Sequence, residues 1–65
     1  MLECWILRIV YIDDTEDLYI SIPEEYALLR DRFNYAKSDR DTRIAEFYQV
    51  KSGDIIKVHR ETING

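Results

Sequence analysis

The chain reads as an α+β domain of order ββαββ, a four-stranded, mainly antiparallel sheet with one helix packed on one face. Three observations lead there. Leu2 to Ile12 is apolar at almost every position, as in strands covered on both sides. One helical stripe, Tyr26, Leu29, Phe33 and Ala36, follows Pro23 at three- and four-residue spacing. Two β-type runs, 43–50 and 55–60, then flank the turn Lys51-Ser52-Gly53-Asp54.

In the first strand Trp5, Leu7, Ile9 and Tyr11 point one way, and Leu2, Cys4, Ile6, Val10 and Ile12 the other, because strand side chains alternate. Arg8 is the lone charge in its middle. An unpaired buried guanidinium is costly, so Arg8 must reach solvent, Glu46 or a partner's carboxylate. That assigns the side holding Cys4, Ile6, Arg8 and Val10 to the face away from the helix. The acidic break Asp13-Asp14-Thr15-Glu16-Asp17 ends the strand. Leu18-Tyr19-Ile20-Ser21-Ile22 then alternates as a second, shorter strand. Leu18, Ile20 and Ile22 are expected toward the core, and Tyr19 and Ser21 outward. The hairpin leaves part of the longer first strand's edge unpaired.

Pro23 suits the first helical position and pushes Ile22 to extended geometry. Ser21 and Glu24 also match the S-x-x-E capping box, which would make Ser21 the cap. The helix stops near Ser38, before the charged loop Ser38-Asp39-Arg40-Asp41-Thr42. In the third strand Ile44, Tyr48 and Val50 oppose Ala45 and Phe47, and Glu46 interrupts the first set. In the last strand Ile56 and Val58 are expected inward, and Lys57 and His59 outward.

Residues 1–65 make one small domain. A domain of this size buries only about 60% of its unfolded surface. Without a disulfide, metal or oligomer such a core rarely supplies more than ~3–5 kcal/mol. One Cys and one His allow neither an internal disulfide nor an all-soft zinc site. No cofactor or metal is expected, and oligomerisation or docking remains as the support. No apolar run approaches the ~20 residues of a membrane span, and the start lacks a signal peptide's basic region. An unpaired thiol suits a reducing compartment, so the cytoplasm is the expected location.

A net charge of −4 argues against general affinity for nucleic-acid backbones. The charge is uneven. Residues 1–28 hold seven carboxylates against Arg8 alone, a balance of −6, and residues 29–65 hold eight Lys/Arg against six Asp/Glu, a balance of +2. Such asymmetry can steer association with a charged partner or a second copy.

Candidate chemical motifs are few. Tyr11-Ile12-Asp13-Asp14 is similar to the Tyr-x-Asp-Asp box of reverse transcriptases, but the likeness spans four residues and 65 cannot hold a polymerase palm with fingers. The aspartates are read as ending the strand and keeping the hairpin soluble. Asp39 and Asp41 flank Arg40 without EF-hand spacing. Cys4 and His59 could face each other if the first and last strands pair. Cys4 sits among apolar residues, where burial raises a thiol's pKa, so packing is its expected role. Arg30, Arg32, Lys37, Arg40 and Arg43 cluster around the helix end with Phe33 and Tyr35, the ingredients of a single-strand nucleic-acid-binding domain. Asp31, Asp39 and Asp41 sit among them and would repel phosphate.

Ser52-Gly53-Asp54-Ile55-Ile56-Lys57-Val58, with the end Asn64-Gly65, resembles the closing segment of small ubiquitin-like sulfur carriers. The resemblance implies a β-grasp fold and a sulfur or protein carrier activated at the carboxylate of Gly65. Two departures stand out. The penultimate residue is Asn64 where the family has glycine, and little chain is left for the family's additional strand.

The expected function is a non-catalytic protein-binding module, not an enzyme. It would use the uncovered sheet face or a strand edge, that of the first strand in particular, and would also pair as a homodimer. An inhibitor or adaptor of a larger enzyme, of the type phages and mobile elements encode, fits a small acidic chain without a catalytic signature. The expected partner surface comprises Cys4, Ile6, Arg8, Val10, Tyr19 and Tyr48.

Overall fold

The computed structural model describes residues 3–63. Strands β1 (Cys4–Tyr11) and β2 (Glu16–Ser21) form a hairpin. A 3-10 turn over Pro23–Glu25 leads into helix α1 (Tyr26–Lys37), and β3 (Thr42–Lys51) and β4 (Asp54–Thr62) form a second hairpin. All pairings are antiparallel, in the order β2-β1-β3-β4. The ββαββ reading holds.

β1 is central, flanked on both edges by paired strands. It pairs with β2 from Trp5↔Ser21 to Val10↔Glu16 and with β3 from Cys4↔Val50 to Tyr11↔Thr42. The expected free edge on β1 is therefore corrected, since β2 and β4 are the sheet's edges. β1 and β4 do not pair either, because β3 lies between them.

The helix covers the face carrying Trp5, Leu7, Ile9 and Tyr11, as the placement of Arg8 predicts. Leu29, Phe33 and Ala36 from α1 pack on Leu7, Ile9, Ala45 and Phe47 to make the buried core. An aromatic ladder crosses it. Tyr26 lies 4.6 Å from Trp5 and 5.6 Å from Phe47 between ring centroids, and Phe33 lies 5.1 Å from Phe47 and 5.8 Å from His59. Offset and edge contacts of this kind add ~0.5–1.5 kcal/mol each beyond their buried area.

Pro23 starts the 3-10 turn after an extended Ile22, as its fixed φ dictates. The alternative Ser21 cap is not formed. Ser21 belongs to β2, and its buried hydroxyl finds no hydrogen-bond partner among the described residues. Ser38 closes the helix, its backbone N–H reaching Ala36 and Tyr35 carbonyls.

Two facings differ from the sequence reading. Leu7 sits opposite Tyr19 and Trp5 opposite Ser21, so Tyr19 and Ser21 face the helix. Leu18, Ile20 and Ile22 stay exposed instead of entering the core. The turn between the strands sets this register, with Tyr11 N–H donating to Thr15 and Asp14 N–H to Tyr11 carbonyls. A one-residue slip flips a whole strand. In β4 the register shifts by one at Val58, between Phe47↔His59 and Tyr48↔Lys57. That bulge turns His59 onto the helix side against Phe33 and Lys57 onto the open face. The expected inward Val58 remains half-exposed.

Candidate functional site

The sheet face opposite the helix is the candidate site. Four rungs cross it, fixed by the strand register. Cys4, Val50 and Ile55 form the first, and Ile20, Ile6, Tyr48 and Lys57 the second. Leu18, Arg8, Glu46 and Arg60 make the third, and Glu16, Val10, Ile44 and Thr62 the fourth. Aliphatic rungs thus bracket a charged middle. At the edges, Leu18 is 59%, Ile20 69% and Ile55 68% exposed.

Glu46 is the hub of that middle and only 3% exposed. Its Oε1 accepts from Arg8 Nη1 at 2.7 Å and from the Tyr48 hydroxyl at 3.1 Å. Its Oε2 faces Lys57 Nζ at 3.2 Å and Arg60 Nε at 3.5 Å. Arg8 Nε also donates to Glu16 Oε2 at 2.7 Å. Burial alone would raise the Glu46 pKa, but the hydrogen bonds from Arg8, Lys57 and Tyr48 outweigh it and hold the carboxyl below its ordinary value. The same bonds, Glu46 first and then Glu16, raise the Arg8 guanidinium above its own. Glu46 is hidden while Arg8, Lys57 and Arg60 keep 39–51% of their side chains exposed. Outward, the centre therefore presents mostly cations, flanked by aliphatic groups.

Cys4, Ile6, Arg8, Val10 and Tyr48 share this face. Tyr19 does not. Its ring lies under the Arg32 guanidinium, 4.7 Å from ring centroid to carbon, on the helix side. Leu18, Ile20, Ile44, Glu46, Val50 and Ile55 belong to the face, although the reading of individual residues did not gather them. The register set by the 12–15 turn places Leu18 and Ile20 there, and the pairing of β3 with β1 and β4 places the others.

The other candidates are dispersed. Tyr19 helps line a groove of about 370 Å³ between α1 and the hairpin, with Tyr11, Tyr35, Arg32, Asp31 and Asp39 around it. The hydroxyl of Tyr11 donates to Asp17 at 2.7 Å, which, with burial second, pushes its pKa up to about 12. Asp13 accepts from Thr15 N–H at 3.1 Å, and Asp14 pairs with Arg43 at 2.9 Å. Among the described residues no group of three His, Cys, Asp or Glu could hold a metal ion. Cys4 and His59 lie on opposite sheet faces. The basic cluster is split: Arg32 sits on Tyr19, Lys37 reaches Glu61 at 3.9 Å, Arg43 holds Asp14, and Phe33 is in the core. Asn64 and Gly65, on which carrier chemistry would depend, lie outside the described residues, as does Leu2.

Compared with known proteins, the chain matches no family model, no curated protein and no solved structure. Among the described residues no helix is long and apolar enough to cross a membrane.

Proposed function

We propose that this chain is a non-catalytic protein-binding module, of the kind that serves as an inhibitor or adaptor of a larger enzyme, and that the open sheet face is its binding surface. The observation carrying this reading is the set of exposed aliphatic residues on the face the single helix leaves uncovered, arranged around one buried carboxylate. Apolar surface rimmed and centred by charge is the composition of recognition surfaces. Arg8 at the middle has the character of an interface anchor.

Capture experiments in the producing cell test it. The tagged chain should retain a protein, a differently tagged copy of itself included. The exposed-site variant Ile20→Lys/Ile55→Lys should lose it while keeping a wild-type circular dichroism spectrum. Retention indifferent to that variant but lost on Tyr35→Ala would move the binding surface to the groove beside Tyr19 and sink the proposal.

A further inference from the structure

We propose that the outer edge of β2 is a strand-addition site, taking up an extended segment of another protein in which apolar and basic side chains alternate. The site goes beyond the reading of the open face, since it is built from the backbone edge of β2 and the flank of α1 above it.

The hairpin's own bonding decides which backbone groups are left over. Tyr11 N–H donates to the Thr15 carbonyl, so these two residues form a hydrogen-bonded pair. Such pairs alternate along an antiparallel ladder, which makes Asp17, Tyr19 and Ser21 the residues bonded to β1. The N–H and C=O groups of Leu18 and Ile20 therefore point outward, and among the described residues no strand lies beyond β2. A row of outward donors and acceptors is complemented by another extended backbone.

The two edges of the sheet differ. β4 carries Lys57, His59 and Arg60 and is bent by the bulge at Val58, devices that deter edge pairing. β2 has no lysine, proline or bulge.

The side chains around the β2 edge describe the occupant. Leu28, Asp31, Arg32 and Tyr35 recur at three- and four-residue spacing and form one flank of α1. Leu28 is 59% and Tyr35 79% exposed. A cleft of about 400 Å³ separates this flank from β2, with Tyr19, Ile20, Leu28 and Asp31 in its walls. A strand added to β2 sets one row of its side chains over the cleft and the other beside Leu18 and Ile20. The second row meets aliphatic groups and calls for apolar residues. On the cleft side the charges are Asp17, Glu25 and Asp31 against Arg32, whose guanidinium already lies on Tyr19. Lysine or arginine there lays its stem on Leu28 and brings its head to the carboxylates. β2 of a second copy would bring its own Asp17 to the same place, where like charges oppose it.

Titration of the isotope-labelled chain with a short peptide alternating lysine and valine, followed by amide NMR shifts, is the test. The shifts should centre on Leu18 and Ile20, and hydrogen exchange of these two amides should slow. A peptide with glutamate in place of lysine should bind ~10-fold or more weakly. Leu28→Arg, exposed and away from the open face, should weaken the lysine peptide by ~5-fold or more. Ile20→Pro removes an outward N–H and none of the bonds to β1, and should weaken it by a similar ~5-fold. No shift with millimolar lysine peptide, equal binding of the two peptides, or shifts centred on Tyr48 and Ile55 overturn the site. Shifts of Leu18 and Ile20 that grow with the concentration of the chain alone put a second copy there and overturn the assigned occupant. Leu28→Arg leaves the open face untouched, whereas that reading depends on capture by the Ile20→Lys/Ile55→Lys pair, so the two fail separately.

Discussion

Replacing Glu46 by glutamine removes the charge on which Arg8, Lys57 and Arg60 converge while keeping the side chain's volume. Breaking a buried ion pair by deleting one partner costs ~3–5 kcal/mol. The three cations here are 39–51% exposed and can turn toward water, and such pairs are worth far less. The hydrogen bond from Arg8 at 2.7 Å is the least replaceable contact, and bonds to charged groups contribute ~1.5–3 kcal/mol. Together these give a loss of about 2 kcal/mol, roughly 30-fold in the unfolding equilibrium. Urea unfolding followed by Trp5 fluorescence, at one fixed protein concentration, measures it. The difference also carries a pH signature. Because the folded-state pKa of Glu46 lies below its ordinary value of about 4.5, its contribution is full above that value and fades as pH falls through the lower one. The gap between wild type and Glu46→Gln should therefore close in acid. Equal urea midpoints at neutral pH, or a gap undiminished in acid, would refute the hub.

Two other outcomes follow from local geometry. Ser52 (φ 54°) and Gly53 (φ 82°) form the two-residue loop between β3 and β4, and hairpin loops with both φ positive favour Asn-Gly. Ser52→Asn should raise the urea midpoint, by ~0.5–1 kcal/mol of stability; a lower midpoint would contradict the assigned turn. Tyr11, held protonated by its bond to Asp17, should ionise near pH 12 in ultraviolet titration, and Tyr11→Phe should abolish that step. With its folded pKa above the ordinary 10, this bond's stability is intact below that value and is lost as pH rises through about 12.

The sequence made the element order legible because each boundary has a local cause. β1 is apolar on both faces, Pro23 sets the helix start, and Gly53 supplies a positive φ. One charge sufficed to orient the sheet. Arg8 could not face the helix core, and that placed Cys4, Ile6 and Val10 on the open side. The facing of β2 and β4 was not legible, and the reason is physical. Alternation tells which residues share a side but not which side, and pairing register decides the rest. In β2 both alternating sets can be buried, since Tyr19 packs on the core as readily as Ile20 would. In β4 the bulge at Val58 breaks the alternation outright. The candidate face was legible through β1 and Tyr48, whereas Tyr19 was misplaced by the same register ambiguity.

The charged middle of the open face bears on specificity. A wholly aliphatic face would accept apolar surface in many registers, and sliding by one rung would cost little. A carboxylate beneath three cations changes that. Any partner covering the face must leave the Arg8 and Lys57 heads a carboxylate or a path to water, or incur the cost of burying unbalanced charge. If the face binds a partner as proposed, affinity would come from its aliphatic side chains, and register from the Arg8–Glu46 rung with Lys57 and Glu16 beside it.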